Sequence, residues 1–163
     1  MGGGAFSDSA QRWPGAAALL AGRILIVLAL FPNGLRKIET FAQTAAGMGG
    51  VPQVIGGRPF PDQTPLLYFP VPEFFLGVSV LVDLAGAVLI VAGLRTRTVA
   101  AVLVGYVALA MTIYHSDIRH AQDAMHLLRN LPFLGGLLLL AATGGGAWSI
   151  DGRFARISAK DSS

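Results

Sequence analysis

Cysteine is absent from the 163-residue chain. Its absence excludes disulfides, thiolate metal sites, iron–sulfur ligation and any thiol redox chemistry carried by the chain itself. A redox role would therefore need a bound partner. Charge is also scarce, at 13% of residues against 53% hydrophobic, and the mean hydropathy of +0.62 lies outside the range of a domain whose surface is solvated by water. The net charge is +3, but the twelve Lys and Arg are scattered between apolar runs and form no stripe, so nucleic acid is not an expected partner. Histidine occurs only within "HSDIRHAQDAMH", as His115, His120 and His126.

What the chain has instead is long apolar runs. Four stand out, at 14–35, 73–94, 98–115 and 127–147, each near the length that a hydrocarbon core of about 30 Å requires. They predict an all-α integral membrane four-helix bundle forming a single domain over residues 1–163. Arg23 interrupts the first run and no small-residue cleavage site follows closely, so this run reads as a retained span and not a signal peptide. Only "LRTRT" separates the second and third runs, which predicts a tight antiparallel hairpin.

The first and second runs are joined by a long irregular external loop, 36–72. Its stretch "GMGGVPQVIGGRPFPDQTPLLYFPVP" holds six of the nine prolines and five glycines, a composition that argues against both a long helix and a regular strand pair. Arg12, Arg95, Arg97, Arg153, Arg156 and Lys160 fall on the side of both termini; Arg36, Lys37, Arg58 and Arg119 fall on the other. The positive-inside rule then puts both termini in the cytoplasm of a multi-pass inner (cytoplasmic) membrane protein, with a cytoplasmic tail at 148–163. In that tail Ile150, Phe154 and Ile157 share one helical face with cations beside it, a pattern that fits an interfacial helix or a solvated tail.

Ionisable residues inside spans cost about 3 kcal/mol each on insertion scales and call for partners. Arg23 lies ten residues into the first span counted from Trp13, and Asp83 ten residues into the second counted from Glu73. At 1.5 Å per residue both come to about 15 Å, which predicts a midplane ion pair, Arg23 with Asp83. Such a pair either fixes how the helices dock or acts as a relay or ligand contact. Ser79, Asp83, Gly86, Ile90 and Gly93 share a small or polar face of the second helix.

A second polar layer gathers at the outer boundary, where Lys37, Glu73, Tyr114, His115, Arg129 and Asn130 lie near helix ends. Interfacial anchoring accounts for it; so does a pocket for a lipid headgroup, a quinone ring or a small anion. Were 117–126 helical, His120 with Asp123, or Asp123 with His126, would stand three residues apart. These are weak candidates for zinc or copper, because no two histidines have the i,i+4 spacing, and the expectation is that no metal is bound.

"LFPNGLRKI" after the first span, "GLRTR" after the second, His115 ending the third and "LLRNLPFLGGLLLLAATGGGAWSID" in the fourth together resemble the DoxX family of small four-helix membrane proteins. The last block carries Arg129 and Asn130 ahead of Gly135 and Gly136, then a glycine run and Ser149-x-Asp151. The family usually has Lys before that Asn and often Glu in the second span; this chain has Arg129 and Asp83. Arg does not release its proton, which disfavours proton shuttling at 129. The resemblance implies a subunit of a quinone-linked membrane oxidoreductase assembly, catalytic only within such a complex. A quinone would then be the non-covalent cofactor, with membrane lipids, partner subunits or further copies of the chain as partners. A membrane scaffold or assembly protein, or a small transporter without redox chemistry, is the alternative, because fold alone does not establish reaction.

Overall fold

The computed structural model describes residues 5–51, 53–55, 58–60, 68–114 and 121–161. Its elements are α1 (Ala5–Glu39), α2 (Phe41–Met48), β1 (Gln53–Ile55), β2 (Arg58–Phe60), α3 (Pro72–Ala92), α4 (Thr96–Tyr114), α5 (Ala121–Thr143) and α6 (Ile150–Asp161). Gly15–Glu39 of α1, all of α3 and α4, and Ala124–Thr143 of α5 are long and apolar enough to cross a bilayer. The chain is an all-α integral membrane four-helix bundle.

Burial is distributed as lipid solvation requires. Ile26, Leu30, Ala87, Ile90, Leu103, Leu137 and Leu140 fill the interior, while Leu25, Leu28, Leu81 and Leu139 are 64–67% exposed. In water such a surface would associate; in hydrocarbon it is the solvated surface. With no hydrophobic drive between helices, close packing decides the contacts. A Cβ on Gly34 would lie 2.8 Å from Leu84 Cδ2, and one on Gly86 would lie 2.9 Å from Leu103 Cδ2. Glycine at these two positions lets α1 approach α3 and α3 approach α4.

The α3–α4 turn closes on Gly93, whose φ of 70° is left-handed. The Gly93 N–H donates to Leu89 O and Ile90 O, and the Leu94 N–H also donates to Leu89 O, so these two carbonyls of α3 are satisfied by the turn itself.

The connection before α3 is more ordered than its composition suggests. α1 runs four residues past the expected boundary at 35 and then hands over to α2 across Thr40, whose N–H donates to Arg36 O and whose own carbonyl accepts from Thr44. β1 and β2 form an antiparallel pair with Gln53 opposite Phe60, Val54 opposite Pro59 and Ile55 opposite Arg58, where no strand pair was expected. Three residues a side suffice because Pro59 needs to donate nothing in a pair this short. Phe69 N–H then donates to Met48 O at 3.0 Å and the Phe69 ring meets Phe75 with centroids 4.7 Å apart, tying the end of the connection to α3. At the other end of the bundle the tail folds as α6.

Candidate functional site

Asn33 and Lys37 are one helical turn apart on α1, as are Ser79 and Asp83 on α3, so each pair shares a face. The two faces meet where Gly34 admits α3: a Cβ at 34 would lie 3.2 Å from Asp83 Cβ. Tyr106 closes the group from α4. The three protons of the Lys37 ammonium go to Ser79 Oγ at 2.6 Å, Asp83 Oδ2 at 2.8 Å and Tyr106 OH at 2.8 Å. Ser79 Oγ and Tyr106 OH are themselves 2.8 Å apart, and Asn33 Nδ2 donates to Asp83 Oδ2 at 2.9 Å. Lys37 Nζ also stands 5.5 Å from the centre of the Tyr106 ring.

The result is a charge-neutral knot with one gap. The Asp83 side chain has no exposed surface, yet its Oδ1 has no hydrogen-bond partner among the described residues. A buried carboxylate oxygen left open costs free energy unless something donates to it. Lysine, tyrosine, serine and aspartate can all shift protons or rotate, so the group can donate to a carbonyl oxygen on one side and accept from a hydroxyl on the other.

Arg23 belongs to a different group. It is fully buried; its Nη1 donates to Val91 O at 3.2 Å and its Nη2 to Trp148 O at 2.7 Å. The first of these is an otherwise orphaned carbonyl of the last turn of α3. Beside it the Asp151 carboxylate accepts from Arg95 N–H at 2.8 Å, Thr96 N–H at 2.9 Å and Thr96 Oγ at 3.1 Å, while the Asp151 N–H donates to Gly93 O at 3.0 Å. Ser149 Oγ accepts from the Gly152 N–H at 3.0 Å and caps α6. Partial burial pushes the Asp151 carboxyl up, but the donors of Thr96 and Arg95 and the nearby Arg23 charge outweigh it and hold the group below its ordinary value. The "GLRTR" and "WSID" stretches therefore meet in a clasp that pins α6 to the α3–α4 turn.

The expected Arg23–Asp83 pair does not form. Lys37 lies opposite Ser79 and Asp83, and Arg23 opposite Val91; on α3 the last two acceptors are eight residues, about 12 Å, apart. The expectation ended the first helix at Arg36 and Lys37, but α1 runs on to Glu39 and the short α2 follows it, with Gly49 at the end of α2 against Pro72 at the start of α3. The register of α1 against α3 thus brings Lys37, and not Arg23, to Asp83.

The outer-boundary set does not assemble either. Lys37 leaves it for Asp83. Glu73 is exposed in the first turn of α3. Arg129 is exposed and its Nη2 is 2.8 Å from His126 Nδ1, with Asn130 half-buried beside it. Tyr114 packs against the cluster of Ala45, Met48 and Leu76, and its buried OH lacks a partner among the described residues. His115 and His120 lie outside the described residues. Asp123 and His126 fall in the first turns of α5 and not in a loop; among the described residues no three or more His, Asp or Glu gather as a metal would need.

Asn33 and Tyr106 were not singled out from sequence. The i,i+4 repeat of Asn33 and Lys37, matching that of Ser79 and Asp83, is the signal that would have found the first; Tyr106, a hydroxyl midway along an apolar helix, is the second.

A family model described as DoxX matches residues 18–116. The chain belongs to the DoxX family. The match contains Asn33, Lys37, Ser79, Asp83 and Tyr106, and stops before the Arg129–Asp151 block. Among relatives, Inner membrane protein YqjF of Escherichia coli strain K12 is 32% identical over 133 residues, covering 82% of this chain and 88% of that one. Inner membrane protein YphA of the same organism is 29% identical over 140 residues, covering 83% and 89%. No solved structure matches the chain.

Proposed function

We propose that this DoxX-family protein is an inner-membrane subunit of an oxidoreductase assembly and that the Lys37–Asp83 knot, within the bundle and not at its outer boundary, receives the headgroup of a quinone. The observation that carries the reading is the open Asp83 Oδ1 beside a converged set of donors. Quinone headgroups present carbonyl oxygens when oxidised and hydroxyls when reduced. Lys37, Ser79 and Tyr106 supply donors for the first, and Asp83 Oδ1 supplies an acceptor for the second. When bound, the quinone supplies two-electron redox chemistry; this chain's residues hold the ring, exclude water and keep protons at the Lys37 ammonium and the Tyr106 hydroxyl. Electrons enter from a partner subunit, since the chain carries no cysteine to ligate a cluster. Both termini face the cytoplasm, on the cation distribution.

The purified protein in nanodiscs is titrated with a short-chain ubiquinone or menaquinone analogue, with empty nanodiscs as the partition control. Saturable binding that weakens at least about tenfold, roughly 1.4 kcal/mol, in Lys37→Met supports the reading. Uptake no greater than in empty discs refutes it and leaves the scaffold account.

A further inference from the structure

Helix α6 packs against the α3–α4 turn with an uncovered apolar face. Asp151 ties its first turn to the N–H groups of Arg95 and Thr96, the residues that join two spans, and Arg156 Nη1 ties its middle to Ala147 O at 2.9 Å. Gly152 faces inward: a Cβ there would meet Gly146 O and Ala147. Ile150, Phe154 and Ile157, four and three residues apart, therefore share a face directed away from the clasp, and they remain 37%, 64% and 58% exposed. Trp148, just before the helix, is 44% exposed. Arg153 and Arg156 flank this face and are exposed, whereas the Asp151 carboxylate is already engaged by the clasp.

We propose that α6 is a surface anchor lying on the anionic lipid leaflet at the end of the bundle that bears the termini. In this arrangement Phe154 and Ile157 enter the acyl boundary and Arg153 reaches the lipid phosphates. Three observations choose this occupant. The clasp sets the start of α6 at the level where α3 ends and α4 begins, so an apolar face there adjoins lipid. The cations sit beside the apolar face, where snorkelling side chains meet headgroups. The exposed charges that flank the apolar face, Arg153 and Arg156, are cationic, complementary to phosphatidylglycerol and similar lipids. The proposal is independent of the quinone reading.

The chain's lack of cysteine permits single-cysteine spin labels at 153, 154 and 157, read by collision with oxygen and with a water-soluble nickel chelate. The host is a nanodisc of phosphatidylcholine with or without about 30 mol % phosphatidylglycerol. With anionic lipid, nickel collision at 154 and 157 is expected to fall about threefold or more below that at 153. That protection is expected to weaken without anionic lipid or in Arg153→Glu, a change outside the clasp. Equal water access at all three positions overturns the proposal, as does protection indifferent to lipid charge and to Arg153→Glu. Spin–spin broadening between labels at 154 also overturns it, because a second copy would then cover the face.

Discussion

Arg23, fully buried, and Lys37, partly buried, are two cations on one helix, fourteen residues or about 21 Å apart, and the protein satisfies them by opposite means. Arg23 is held by the carbonyls of Val91 and Trp148. Main-chain carbonyls neither titrate nor turn, and a guanidinium keeps its charge throughout, so the contact can only fix a shape: α6 and the α5–α6 link against the end of α3. Lys37 is held by a carboxylate and two hydroxyls, each of which can exchange a proton or rotate toward another partner. A charge buried in a span does not by itself signal chemistry. The partners that surround it distinguish a clasp from a site.

The largest effect expected from breaking this contrast is at Asp83. Asp83→Leu strands the Lys37 ammonium, and removing one partner of a buried pair costs about 3–5 kcal/mol, less where snorkelling softens it. The monodisperse fraction surviving a thermal ramp in mild detergent should fall sharply and recover in Lys37→Leu with Asp83→Leu. In the matching cycle, Arg23→Leu with Asp83→Leu should be additive within about 0.5 kcal/mol, because the two residues do not meet. Coupling there instead would restore the midplane pair.

Next in size is Asp151→Ala, which leaves the N–H groups of Arg95 and Thr96 without their acceptor and should cost about 1–3 kcal/mol, with faster proteolysis of α6. Because the folded Asp151 carboxyl lies below its ordinary value, its contribution is present at neutral pH, above the unfolded value, and is lost as pH falls through the folded one. Asp151→Asn should therefore lose part of the acid dependence of α6 protection while Lys37→Leu with Asp83→Leu keeps it. The smallest effect is Tyr106→Phe, which removes one acceptor of Lys37 and the partner of Ser79, about 0.5–1.5 kcal/mol by the same thermal assay. A null result would mean that Ser79 and Asp83 alone satisfy Lys37.

Much of the fold was legible because spanning a bilayer is a one-dimensional demand: a run of apolar residues of sufficient length declares itself wherever it packs. Asp83 was legible for the same reason, being a charge where charge is costly, whereas Lys37 was read as an outer-boundary cation. Their pairing was not, since hydropathy says nothing about how far one helix slides along another. The short strands were hidden because proline and glycine mark where regular structure is discouraged, and a three-residue pair demands little of either strand. The clasp was visible only as two separate strings, "GLRTR" and "WSID", with no hint that each completes the other's hydrogen bonds.

The sequence by itself determined residence in a membrane, four spans, an all-α bundle and the absence of the chain's own thiol chemistry, because these follow from residue type and run length alone. Tertiary structure decided which cation meets which acid. That choice depends on the register of antiparallel helices, set here by the close approaches at Gly34 and Gly86 and by the continuation of α1 into α2. A slide of fourteen residues, about 21 Å, is all that separates the Arg23–Asp83 pair expected from hydropathy from the Lys37–Asp83 knot that packing produces.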